Sequence, residues 1–229
     1  MDLKERLERV HARIKKAAER CSRAEDSIHL IAVSKTMPAA VVKEAIAAGV
    51  TDLGENYIQE AREKIDALAT SNVNWHFIGH LQSNKAKYAI RLFDLIHSVD
   101  SLKLAQELNK YAQKNGKIQS ILLQVNVARE ESKSGIYVEN TIELLKSIGR
   151  LENIAVKGLM TMPPYFNEPE KVRPFFADLR KLRDHIKTEG IPNIAMDELS
   201  MGMTCDFEAA IEEGATMVRI GTAIFGERQ

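Results

Sequence analysis

The sequence predicts a (β/α)8 barrel of the TIM type, one domain over residues 1–229 with an extra helix at 1–24 that packs on the barrel. Three observations carry this. Short β-favouring runs alternate with helical stretches of about ten residues or more, the signature of βαβ units and a parallel sheet. The alternation yields eight strands, the number that closes a barrel by pairing the first strand with the last. Polar or charged residues stand at every strand end, where such barrels carry their functional face. An open doubly wound sheet satisfies the alternation as well.

The opening segment is an amphipathic helix. Leu3, Leu7, Val10, Ile14 and Ala17 recur at spacings of four and three on a charged background. Strands are predicted at 28–34, 52–55, 75–79, 95–99, 120–127, 155–162, 198–201 and 217–225, with helices at 38–48, 57–69, 82–91, 101–115, 138–149, 170–189 and 206–213. The segments EAIAAGVTDLGEN (44–56) and AAIEEGATMVRIG (209–221) align without gaps, each a helix end, a glycine, a threonine and a new strand. Gly49 and Gly214 fit the left-handed position just past a helix, where a side chain clashes. The Pro-rich MPPYFNEP (162–169) reads as a loop after the sixth strand.

Charge and composition exclude several functions. Lys and Arg number 32 and Asp and Glu 32, so there is no basic field for nucleic acid or a membrane surface. No stretch approaches the roughly 20 apolar residues of a membrane span, and the charged N-terminus is no signal peptide. Cys21 and Cys205 form no CxxC pair, so neither a disulfide framework nor a cysteine metal site is expected, and a cytoplasmic protein fits. A monomer is expected rather than an oligomer.

The run IHLIAVSKTMP (28–38) places Lys35 where a buried strand ends. Either the strand meets water there, or the strand end needs an amine. LSMGMT (199–204) and RIGTAIFG (219–226) mark the ends of strands seven and eight, whose loops in such barrels bind phosphate. Gly202 and Gly221 permit close backbone approach there, and Ser200 and Thr222 add hydroxyl donors. Ordinary turns and an N-cap at Thr204 or Asp206 explain the same residues. Closure of the barrel would bring Lys35 on strand one beside Arg219 on strand eight. An amine, a guanidinium and a phosphate cradle in one pocket suit a ligand with an aldehyde and a phosphate. Pyridoxal 5'-phosphate (PLP) is such a ligand, because its aldehyde forms a Schiff base with lysine. A phosphate-binding barrel enzyme using Lys35 as an aldolase-type lysine is the reading without PLP.

Seven segments in order, IAVSKT, DLGENYIQE, WHFIGHLQSNK, SKSGI, GLMTM, LSMGMTCDFEAAI and VRIGTAIFG, closely resemble the pyridoxal-phosphate homeostasis proteins, the YggS/PROSC family. That family in turn resembles the barrel domain of bacterial alanine racemase. The match covers nearly the whole chain. The resemblance implies that Lys35 carries PLP as a Schiff base and that Asn56 lies beside the ring. It implies a phosphate site from Ser200, Met201 and Gly202 with Gly221 and Thr222, and Arg219 facing the pyridine nitrogen. Lys133 is implied to hold or relay PLP. His80, Gln82 and Asn84 belong to a family motif with no contact assigned. Thr204, Cys205 and Met217 depart from the family pattern.

The function this implies is intracellular PLP (vitamin B6) homeostasis, buffering or delivering the cofactor, with PLP-dependent apoenzymes as candidate recipients. A cation beside the pyridine nitrogen disfavours its protonation and weakens the ring as an electron sink. The alternative is an amino-acid racemase or lyase using Lys35. Racemisation needs a second base, in alanine racemase a tyrosine from an added domain. With Gln229 just past strand eight, no such domain is expected, and nothing in the sequence places Tyr57 or Tyr165 in that role.

Overall fold

The computed structural model describes residues 1–68, 72–166 and 168–227. Position 69 of the predicted helix 57–69, Asn167 of the predicted loop 162–169, and Gln229 lie outside the described residues. Eight parallel strands close in sequence order into a barrel: β1 (His29–Val33), β2 (Asp52–Glu55), β3 (Asn74–Phe77), β4 (Leu95–Val99), β5 (Gln119–Gln124), β6 (Ile154–Met160), β7 (Ile194–Ser200) and β8 (Met217–Ile220). β1 pairs with both neighbours, Ile31 opposite Asp52 on β2 and opposite Arg219 on β8. That register brings the first and last strand ends together, and excludes the open sheet.

The helices are α1 (Leu3–Arg20), α2 (Ala39–Ala47), α3 (Ile58–Ala67), α4 (Ala86–Leu92), α5 (Leu102–Lys114), α6 (Thr141–Ile148), α7 (Arg173–Thr188), α8 (Phe207–Glu212) and α9 (Thr222–Phe225). Asp2 and Glu5 form a capping box that starts α1. The predicted stripe Leu3, Leu7, Val10, Ile14 and Ala17 is buried. Arg13 and Arg20 tie the helix to Glu208 and Glu212 of α8, and Arg6 Nε donates to the Ile224 carbonyl of α9. The two aligned segments fold alike: Gly49 and Gly214 have φ +109° and +98°, and Val50 and Ala215 donate back to Ala45 and Ala210.

Among the strands, two boundaries differ most from expectation. β7 begins at Ile194 rather than 198, because its first half, with Asp197 outward, carries less apolar alternation than a buried strand. β8 ends at Ile220, not 225: the chain turns at Gly221 into the single helical turn α9, whose Ile224 is buried. The apolar AIF that reads as strand is apolar because this turn packs beneath α1.

Two apolar cores result. The larger lies between barrel and helices, and the smaller joins Ile31, Leu95, Leu122, Met160 and Met217 from five strands. Inward positions recur every second residue along each strand. Met217, a departure from the family pattern, belongs to this inner cluster, two residues from Arg219.

Candidate functional site

A cavity of about 240 Å³ opens at the carboxyl ends of the strands. Lys35 and Arg219 line it together with Asn56, Gly221 and Thr222, five of the eight expected site residues. Val33, Ile78, Met162 and Tyr165 supply its apolar and aromatic wall. The strand-seven side comes from Met203, Thr204, Cys205 and Asp206. A larger groove of about 470 Å³ lies alongside, between α3 and the loop after β3. It shares Asn56 but holds neither Lys35 nor Arg219, so the smaller cavity is the one that gathers the expected amine and guanidinium.

The other three expected residues lie beneath the cavity. The Ser200 hydroxyl is buried in the barrel, accepting from Arg219 Nη1 at 2.6 Å and meeting His97 Nδ1 at 2.9 Å. The Met201 side chain is core. Gly202 is a turn residue at φ +91°, and a Cβ there would stand 2.6 Å from that of Ala210. Its glycine is thus explained by the close approach of α8, and the turn sends residues 203–206 across the cavity. Thr222 Oγ1 donates to Thr204 Oγ1 at 3.2 Å and joins the two loops. Asp206 turns its carboxylate back to Met203 N at 2.6 Å; burial pushes that carboxyl up despite the backbone donor and the Arg219 charge.

Lys35 is held through its neighbours. Buried Lys64 of α3 donates to the Ser34 carbonyl at 2.6 Å, to Glu55 Oε1 at 2.7 Å and to Glu60 Oε1 at 2.6 Å. Ser34 Oγ donates to Glu55 Oε1 at 2.6 Å, and Thr36 N donates to Glu60. Thr36 sits in the left-handed region at φ +67°, which turns the chain sharply after Lys35. Both flanking residues are therefore pinned to one buried ion cluster. Sequence reading missed it, although Glu60 and Lys64 stand at the helical i, i+4 spacing.

Arg219 is 4 % exposed. Burial lowers its guanidinium to about 10, with Asp206 opposing, so it stays charged at neutral pH. Nη2 donates to the Thr161 carbonyl at 2.9 Å. Asn56 is placed by Gly79, where a Cβ would collide with the Asn56 backbone. Asn56 Oδ1 is buried and has no hydrogen-bond partner among the described residues. A buried acceptor left open in a cavity wall fits a ligand that brings a donor. With a lysine, a buried guanidinium and two threonine hydroxyls around it, the donor set fits PLP.

Lys133 lies outside this cavity, paired with Glu130 at 2.9 Å and donating to the Pro163 carbonyl at 2.8 Å. Its neighbour Ser134 meets His80 Nδ1 at 3.2 Å. Gln82 and Asn84 face the outer surface beside Asp100 and Ser101. Of the two tyrosines considered, Tyr165 reaches the cavity and Tyr57 the neighbouring groove. Among the described residues there is no cluster of three metal-ligand side chains, and no helix is long and apolar enough to cross a membrane.

Residues 6–229 match the family described as alanine racemase, N-terminal domain. A pyridoxal phosphate homeostasis protein of Aquifex aeolicus is 50% identical over 229 residues, all of both chains. Among solved structures, PipY of Synechococcus elongatus with PLP bound superposes with a TM-score of 0.85 at 36% identity, over 98% of this chain and 100% of that one. An alanine racemase of Clostridium difficile superposes with a TM-score of 0.77 at 18% identity, over 99% of this chain and 57% of that one, a likeness of fold.

Proposed function

The chain belongs to the pyridoxal phosphate homeostasis proteins, within the alanine racemase N-terminal domain family, and from that premise we propose that it binds PLP reversibly on Lys35 and serves PLP homeostasis. The observation that carries the reading is the meeting of Lys35, Arg219 and the open acceptor of Asn56 in one cavity. Bound PLP would supply an electrophilic aldehyde for the Lys35 amine. Ser34 and Thr36, held by Glu55, Glu60 and Lys64, keep Lys35 at the strand end. Asn56 accepts a hydrogen bond at the ring. Gly221 and Thr222, with the loop formed by Ser200, Met201 and Gly202 and continued by Met203 and Thr204, hold the phosphate. Arg219 would face the ring nitrogen and disfavour its protonation.

This arrangement suits holding and releasing the cofactor better than reacting through it. The chain acts as a single unit over residues 1–229, in the cytoplasm, as a monomer that delivers PLP to apoenzymes. A second reading, amino-acid turnover, would take Tyr165 of the cavity wall as its second base. That residue is 71 % exposed, and no hydrogen bond among the described residues orients its hydroxyl.

The two readings separate on an amino-acid panel. The PLP-loaded protein is expected to bind PLP tightly, and neither to racemise nor to eliminate from any member. Steady turnover that disappears in Lys35→Ala would replace the carrier reading with an enzyme.

A further inference from the structure

Inside the barrel, below the cavity, runs a row of five polar side chains, three of which the proposed function leaves without a role. Asp52 of β2, His76 of β3, His97 of β4, Ser200 of β7 and Arg219 of β8 are all buried. His76 Nε2 lies 3.1 Å from Asp52 Oδ1, and His76 Nδ1 lies 2.9 Å from His97 Nε2. His97 Nδ1 lies 2.9 Å from Ser200 Oγ, which accepts from Arg219 Nη1 at 2.6 Å. Five strands thus contribute one unbroken hydrogen-bonded row.

The chemistry of its two ends sets its direction. An ionised carboxylate only accepts, and a guanidinium only donates. Ser200 Oγ accepts from Arg219, so its own proton turns to His97 Nδ1. His97 then carries its proton on Nε2 and donates to His76 Nδ1. His76 carries its proton on Nε2 and donates to Asp52. Both imidazoles are neutral and every contact has one donor and one acceptor. The reverse polarity would aim both Arg219 and His97 at the Ser200 oxygen and leave the hydroxyl proton without an acceptor among the described residues.

The local electrostatics agree. Burial above all, with the Arg219 charge adding to it, holds His97 well below its ordinary range. Burial pushes the Asp52 carboxyl up, but hydrogen bonds from His76, Thr51 and Asn74 outweigh it and hold the group at about 2. Such a barrel interior is ordinarily filled by branched apolar side chains, as Ile31, Leu95 and Leu122 do here. A buried polar row adds rigidity only when every member is satisfied, and this one meets that condition.

We propose that Asp52, His76 and His97 are positioning residues: a one-way hydrogen-bond row that keeps Ser200 an acceptor and so fixes the Arg219 guanidinium toward the cofactor ring. The target of the positioning, PLP, rests on the function proposed above. The polarity of the row does not.

The polarity is tested on the cofactor-free protein by long-range ¹H–¹⁵N correlation of the imidazoles. Both His76 and His97 are expected neutral with the proton on Nε2. An Nδ1 proton on His97, or a doubly protonated His76, overturns the proposal. The link to Arg219 is tested with His97→Leu and His97→Gln after loading with PLP. Leu removes both hydrogen bonds, and is expected to displace the absorption maximum of bound PLP and to weaken PLP binding about tenfold. Gln keeps one donor and one acceptor and is expected to stay nearer wild type on both. A folded His97→Leu with wild-type spectrum and affinity overturns the proposal. Should it not fold, the tautomers decide alone. Failure of the wild-type protein to bind PLP would instead remove the proposed function and leave the row intact.

Discussion

Lys64→Met is expected to lower the free energy of unfolding by about 3–5 kcal/mol, the range for removing one partner of a buried ion pair. Lys64 is 4 % exposed and makes three hydrogen bonds of 2.6 to 2.7 Å. Without it, fully buried Glu55 keeps only the Ser34 hydroxyl on Oε1, and its Oε2 has no partner among the described residues. Burial already raises the Glu55 carboxyl against the pull of Lys64 and Ser34, so losing the ammonium pushes it further toward the neutral acid. Urea unfolding of the variant measures the effect, and a loss below about 1 kcal/mol would mean the cluster is not the buried network described. Adding Glu55→Gln should restore part of the loss, because the orphaned charge is gone. PLP binding should weaken as well, since Ser34 and Thr36 lose the anchors that place Lys35.

Arg219→Glu carries the second large effect. Replacing a buried cation by a carboxylate reverses the charge beside the ring nitrogen. A neighbouring charge shifts a titration by about 1–3 units, and here the sign is upward: a carboxylate stabilises the protonated nitrogen that the guanidinium disfavours. The absorbance of bound PLP should therefore change at neutral pH, and its titration midpoint should rise. Ser200 also loses its donor, so the row to Asp52 loses its upper end. A folded variant, verified by thermal unfolding, with unchanged spectrum and midpoint would place Arg219 away from the ring.

The pairing of Lys35 with Arg219 was legible in the sequence because it needs only strand order and closure. Once eight strands close, β1 and β8 are neighbours, and Ile31 stands opposite Arg219. β2 and β4 also fall where their apolar runs end. The strand-seven side of the cavity was legible to within a few residues. Ser200, Met201 and Gly202 are the strand end itself, whereas the cavity is lined by residues 203–206, because the left-handed turn at Gly202 carries the chain over. That displacement depends on backbone dihedrals, which motif reading does not supply.

The supporting groups were less visible for a different reason. His76, His97 and Asp52 stand on strands whose inward phase must be known before they can be aligned, and their contacts span up to 103 residues of chain. A signal existed in the polar residues interrupting buried strands, His97 in LIHSV above all. Lys64 looks like an ordinary surface lysine of a charged helix; only the rotation of α3 turns it inward onto the β1 and β2 ends.

The central claim, that Lys35 holds PLP covalently, is tested most directly by borohydride. PLP-loaded protein is reduced, digested, and the phosphopyridoxyl group mapped by mass spectrometry. The adduct is predicted on Lys35, and to vanish from that peptide in Lys35→Ala. PLP-loaded protein with no adduct on Lys35, or with its adduct only on another lysine, would contradict the account.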